Sequence, residues 1–169
     1  MPRVIGIDPG SHVTGWGVVE GDWQSMRHVV SGTIRLDPAL RLGDRLALLH
    51  EEVMRLLHEH RPAEAAVERV FVARNADSAL KLGHVRGVVL LALHQAGLRG
   101  HEYAPAQVKK TVSGRGRAEK SQMVAMMRIL LSLDADPAED AADALAIATT
   151  HLILGGERTL IDEVLGRAR

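Results

Sequence analysis

Apolar residues in this chain follow two rhythms, and each change of rhythm marks a new element. Val4, Ile5 and Ile7 make a short β-branched run that closes on Asp8, and Pro9-Gly10 stops it at once, so Arg3–Asp8 is expected to be a strand. Val13–Glu20 and Ser25–Ile34 read as two more strands joined around Gly21-Asp22, which makes the three an antiparallel meander. The rhythm then lengthens. Leu42, Leu46, Leu49, Val53, Leu56 and Leu57 recur at intervals of three and four, which predicts a helix over Arg41–His60 that Arg61-Pro62 ends. Ala65–Val70 is apolar almost throughout and predicts a fourth strand, buried on both faces. Ala76–Ala96 is a second helix capped by Asn75 or Asp77, and Glu102–Ala104 a short fifth strand. A helical turn at Pro105–Val112, a helix at Glu119–Leu131 and another at Glu139–Leu154 follow, the last with Pro137 just ahead of it. Gly155-Gly156 breaks the pattern. The expected architecture is α/β, a mixed five-stranded sheet with helices on both faces, forming one domain over residues 1–154 with a polar tail over 155–169.

Length and composition agree with that reading. A chain of 169 residues, 46% hydrophobic and 25% charged, can bury one good core and is too short for two ordinary domains. No apolar run approaches the roughly 18 residues of a spanning helix. The N-terminus lacks the basic segment and apolar core of a signal peptide, so a cytoplasmic protein with no membrane partner is expected. The absence of cysteine excludes disulfides, thiolate zinc sites and cysteine nucleophiles.

Net charge says little, with 21 basic residues against 21 acidic, but the distribution is informative. Arg69, Arg74, Lys81 and Arg86 face only Asp77 in their segment, and Lys109, Lys110, Arg115, Arg117 and Lys120 face only Glu119. The acids gather at Asp134, Asp136, Glu139, Asp140 and Asp143. A polyanion-binding face beside an acidic, cation-binding centre requires this segregation, although solvated basic and acidic surfaces would give it too.

The acids at element ends change the picture most. Asp8 and Glu68 both close short apolar runs, where open α/β sheets place their chemistry. Asp140 and Asp143 stand three apart and project from one face of the last helix. Each has a plain structural explanation: a turn-forming Asp before Pro-Gly, a surface acid at a strand end, a helix N-cap. Capping needs one acid, however, and Ala141, Ala142, Ala144 and Ala148 indicate that this helix packs tightly. Four carboxylates without a thiol suit hard cations, Mg²⁺ or Mn²⁺. Two such ions about 3.5–4 Å apart are the usual apparatus for displacement at phosphorus, so a phosphodiesterase acting on nucleic acid is expected.

Gly6-Ile-Asp-Pro-Gly10, Val67-Glu-Arg-Val-Phe71, Asn75-Ala-Asp-Ser-Ala-Leu-Lys-Leu-Gly83, Ala118-Glu-Lys-Ser121 and Asp140-Ala-Ala-Asp-Ala-Leu-Ala-Ile-Ala148 occur in an order that resembles the RuvC family of bacterial Holliday-junction resolvases, over roughly residues 1 to 151. The resemblance implies a ribonuclease H-like fold, a homodimer, Mg²⁺-dependent symmetric nicking of a four-way DNA junction, and a branch-migration complex as partner. It maps the catalytic and metal-holding carboxylates onto Asp8, Glu68, Asp140 and Asp143, puts Lys120 near the scissile phosphate, and makes Lys109 a contact to the DNA backbone. Arg69, Arg74, Lys81, Lys110, Arg115 and Arg117 are the further DNA-binding candidates. Phe71, the one Phe of the chain, is a core aromatic by its type alone. The resemblance makes it instead a wedge stacking into the opened junction.

Gly83 and Gly87, four apart in the second helix, allow either a dimer interface or close packing on the chain's own sheet. His50, His58, His60, His94 and His101 show no ligand spacing, and Trp16 and Trp23 read as packing residues. Three alternatives stay open at this point: an actin-like ATPase domain, suggested by Gly6–Gly10 and the hairpin after it, a non-catalytic junction-binding module, and a nuclease of the same fold acting on ribosomal RNA.

Overall fold

A computed structural model of the chain describes residues 1–69, 75–114 and 116–164, and in 157–164 the backbone alone. Its elements are β1 (Arg3–Asp8), β2 (Val13–Gly21), β3 (Met26–Arg35), α1 (Leu42–His60), β4 (Glu64–Glu68), α2 (Ala76–Gln95), β5 (Gly100–Tyr103), α3 (Pro105–Ser113), α4 (Lys120–Leu130) and α5 (Glu139–Val164). The five strands form one sheet in the order β3-β2-β1-β4-β5. β1, β2 and β3 pair antiparallel through tight connections, as the meander requires. α1 carries the chain back so that β4 runs parallel to β1, and α2 does the same for β5.

Strand alternation sorts the core into two layers. Ile5, Ile7, Ala65 and Val67 point toward α1 and α2, where they meet Leu49, Val53, Leu56, Val85 and Val89. Val4 and Ala66 point the other way, toward Val108, Met123, Met127, Leu145 and Ile147 of α3, α4 and α5. β4 is therefore buried on both faces, and helices cover both sides of the sheet.

α5 lies directly on the sheet because β1 and β2 offer it glycine. A Cβ on Gly6 would stand 2.0 Å from the Ala144 carbonyl oxygen, and one on Gly15 would stand 1.9 Å from that of Asp140. Any side chain at either position would lift the helix away. Its alanines, among them Ala141, Ala142, Ala144 and Ala148, are buried on the other side of the same close approach.

One expectation is corrected and one open alternative is decided. α5 does not end at Leu154; it continues through Gly155-Gly156 to Val164, crossing the position where the sequence pattern places the start of a polar tail. The glycine has a packing cause, since a Cβ on Gly156 would fall 2.0 Å from the Trp23 ring. Gly83 and Gly87 do not serve packing on the chain's own sheet, because a Cβ on either would meet nothing within 4 Å among the described residues. Their side of α2 faces outward, together with Leu80 and Leu91, which are 62% and 51% exposed.

Candidate active site

Asp8 is the last residue of β1 and shares the α5 face with Val4 and Gly6. Glu68 is the last residue of β4, one step beyond the parallel Ile7–Val67 pair, and shares the same face with Ala66. The two strand ends thus deliver two carboxylates side by side. α5 brings two more: its first turn crosses Gly15, so Asp140 and, one turn on, Asp143 overhang the end of β1.

The electrostatics show that the four act on one another. Burial pushes the Asp8 carboxyl up to about 8, reinforced by the charges of Glu68, Asp143 and Asp140. Protonated, Asp8 donates a hydrogen bond to the Glu68 carboxylate. Burial also raises Glu68, opposed by that hydrogen bond and by the Lys109 ammonium, with Asp143 adding to the rise. Asp143 is raised by burial first, with Lys120 and Lys109 opposing and Asp140 adding to the effect. Partly buried, mutually repelling carboxylates of this kind are costly in a site that only has to be stable, and they are a mark of functional sites.

Two cations border the group. Lys120, at the start of α4, bonds the Glu139 carboxylate at 3.3 Å and is raised by that contact first, with Asp143 and Asp140 contributing further. Lys109, half-buried on α3, acts on Glu68 and Asp143 as well. Neither Lys neutralises the site, so an acidic centre flanked by ammonium groups remains. Its all-oxygen donor set suits a hard divalent cation.

The other basic candidates spread out. Arg69 reaches Glu102 at 3.7 Å, where Arg86 also binds at 2.6 Å. Lys81 pairs with Asp77 at 2.6 Å on α2. Lys110 and Arg117 are exposed on α3 and in the turn before α4. Phe71, Arg74 and Arg115 lie outside the described residues.

The family model for crossover junction endodeoxyribonuclease RuvC matches residues 4–151, a span that contains all four carboxylates and both lysines. The chain belongs to the RuvC family. It is 55% identical over 152 residues to the RuvC of Alkalilimnicola ehrlichii, covering 90% of this chain and 92% of that one. It is also 57% identical over 150 residues to the RuvC of Magnetococcus marinus, covering 89% and 83%. Among solved structures, RuvC of T. thermophilus in complex with a Holliday junction substrate superposes with a TM-score of 0.88 at 35% identity, over 94% of this chain and 98% of that one. The yeast mitochondrial Holliday junction resolvase Ydc2 shares the fold, with a TM-score of 0.71 at 16% identity over 98% and 84% of the two chains. The ribonuclease H-like sheet and the assignment as a hydrolase acting on DNA follow from this RuvC membership, which displaces the ATPase, binding-module and ribosomal-RNA readings. Among the described residues no helix of this RuvC chain is long and apolar enough to cross a membrane.

Sequence spacing did miss one grouping. Glu64, His101 and His151 bring three ligand atoms within 4.8 Å of one another, at the far end of β4 from Glu68. His101 and His151 stand fifty residues apart, so no linear motif announces them. The usable signal was parallel pairing of β4 with β5, which sets His101 opposite Ala66.

Proposed function

We propose that this RuvC-family chain resolves four-way DNA junctions by paired, symmetric phosphodiester hydrolysis, with Asp8, Glu68, Asp140 and Asp143 as its catalytic carboxylates. The observation that carries the reading is the convergence of four acids from β1, β4 and α5, three of them pushed up by burial and mutual repulsion. These residues would hold Mg²⁺, with Mn²⁺ as the substitute. Two such ions supply activation of water and stabilisation of the leaving oxygen in displacements at phosphorus. Asp8 must give up its proton to ligate, and since Glu68 would ligate as a carboxylate too, that proton would leave to solvent as the cation binds. Lys120, held by Glu139 at the rim, would neutralise charge developing on the scissile phosphate. Lys109 would contact the DNA backbone beside it.

Arg69, Lys81, Lys110 and Arg117 are proposed as weaker phosphate contacts, together with Arg74 and Arg115. Phe71 is proposed, from its sequence context and the resemblance, to stack into the open junction centre; Phe71→Ala should slow junction cleavage. The outward stripe of Leu80, Gly83, Gly87 and Leu91 supports a homodimer through α2, which two symmetric cuts require. Gly83→Trp should then sediment as a monomer, and a dimer of unchanged strength would reject that interface. A cytoplasmic location and docking to a branch-migration complex complete the proposal.

The test is cleavage of a mobile synthetic four-way junction in Mg²⁺, with linear duplex and Asp8→Asn alongside. Paired nicks at symmetric positions, absent on duplex and in the mutant, are expected. Binding without cleavage in either Mg²⁺ or Mn²⁺ would reject the nuclease reading.

A further inference from the structure

His151 is buried on α5, two turns beyond Asp143, with both ring nitrogens engaged. Its Nε2 stands 2.7 Å from Glu64 Oε2, and its Nδ1 2.8 Å from the Tyr103 hydroxyl. The His101 ring lies against it, with centroids 4.6 Å apart and planes tilted by 46°. Ligand atoms of Glu64, His101 and His151 all fall within 4.8 Å of one another. The three come from β4, β5 and α5, and strand register turns Glu64 and His101 toward the helix face. Burial is graded from His151 through half-buried His101 to exposed Glu64, so the group opens to solvent on one side. On that side a cavity of about 420 Å³ is bordered by Glu64, His151, Asp22, Trp23 and Gly156.

We propose that Glu64, His101 and His151 form a second cation site, separate from the nuclease carboxylates and selective for a borderline transition-metal ion of the Zn²⁺ class. Two imidazoles and one carboxylate favour such an ion over Mg²⁺, which prefers oxygen alone. His151 is already oriented for it. With Nε2 directed at the ion, Nδ1 keeps its proton and donates to the Tyr103 oxygen, the kind of outer partner that fixes a ligating imidazole. A tetrahedral site separates neighbouring ligand atoms by about 3.3 Å for bonds of about 2.0 Å, so the Glu64–His151 contact has only to open by a fraction of an ångström. The cavity gives the ion an entry path and room for water as fourth ligand. Bound there, the ion would tie β4 and β5 to α5 at the end of the sheet away from the chemistry.

Equilibrium dialysis of the full chain against Zn²⁺, with Mg²⁺ in large excess, tests this directly. Wild type and Asp8→Asn should each retain one Zn²⁺ per chain and melt at a higher temperature with it. His101→Ala and Glu64→Gln should bind Zn²⁺ at least roughly tenfold more weakly while cleaving junctions at the wild-type rate. Co²⁺ in place of Zn²⁺ should give visible absorption that both variants lose. Zinc retained undiminished in both variants, zinc lost in Asp8→Asn, or no zinc bound by wild type would each overturn the proposal. Should His101→Ala fail to fold, Glu64→Gln decides alone, since that side chain is 46% exposed.

Discussion

β4 carries a glutamate at each end, and α5 passes over both, yet the two ends are built in opposite ways. At one end Glu68 meets Asp8 and feels the charge of Asp143, and the acidity is left uncompensated within the protein apart from two flanking lysines. At the other, Glu64 meets His151, whose second nitrogen is satisfied by Tyr103. Both acids lie on the same strand face, four residues apart, so the difference comes from what the helix presents eight residues apart along its length: Asp143 or His151. A group with its partners inside the fold adds to stability. A group without them holds the protein in tension until something from solution arrives.

The strongest way to break the contrast is to remove one acid from the catalytic end and one ligand from the other. If Asp143 holds the catalytic cation as proposed, Asp143→Asn should lower single-turnover junction cleavage by about a thousandfold or more while leaving junction binding within a few-fold. His101→Ala should leave the rate within about twofold. Equal losses from both would show that the two ends work as one site.

A smaller effect tests how α5 is held. Gly15→Ala places a methyl 1.9 Å from the Asp140 carbonyl oxygen, so the helix start must shift. We expect a loss of about 1–3 kcal/mol in thermal or urea unfolding, and a cleavage rate reduced by more than unfolding accounts for. A stable, fully active Gly15→Ala enzyme would mean that helix and sheet are not in rigid register.

The last test uses proton linkage. Asp8 has an ordinary carboxyl value of 3.8 in the unfolded chain and one of about 8 in the fold. A raised value makes the folded state bind the proton more tightly, so this stabilisation is complete below about 4 and is lost as pH rises toward about 8. In chelator, wild type should therefore lose stability across that window. Asp8→Asn should flatten the profile and exceed wild type at pH 8 by roughly 1–3 kcal/mol, read as a higher melting temperature. Identical profiles would place Asp8 in a more open setting than its burial indicates.

Much of the acidic grouping was legible in sequence because its signals are local. A β-branched run closing on Asp8 before Pro-Gly, a second closing on Glu68, and an i,i+3 pair of acids on an alanine-rich helix each need only a few neighbouring residues. Their convergence could be inferred from parallel strand order. The histidine end could not be read this way, because His101 acquires its meaning only through strand register and through the rotation of α5 at His151. The continuation of α5 past residue 154 was hidden for a similar reason. Gly155-Gly156 reads locally as a breaker, whereas at Gly156 the missing side chain makes room for Trp23, which arrives from the β2–β3 connection. The glycines of α2 were ambiguous in sequence, and the open space around them resolved that ambiguity.

The seating of α5 on Gly6 and Gly15 has a further consequence for how this enzyme can change. At Gly6 and Gly15 the helix meets the sheet through main-chain atoms, so its seat beside Asp140 is fixed there by backbone contact rather than by side-chain shape. Larger or smaller residues elsewhere in the core can alter how firmly the molecule holds together without altering that seat. Drift in the hydrophobic interior should therefore melt the protein before it misaligns the nuclease.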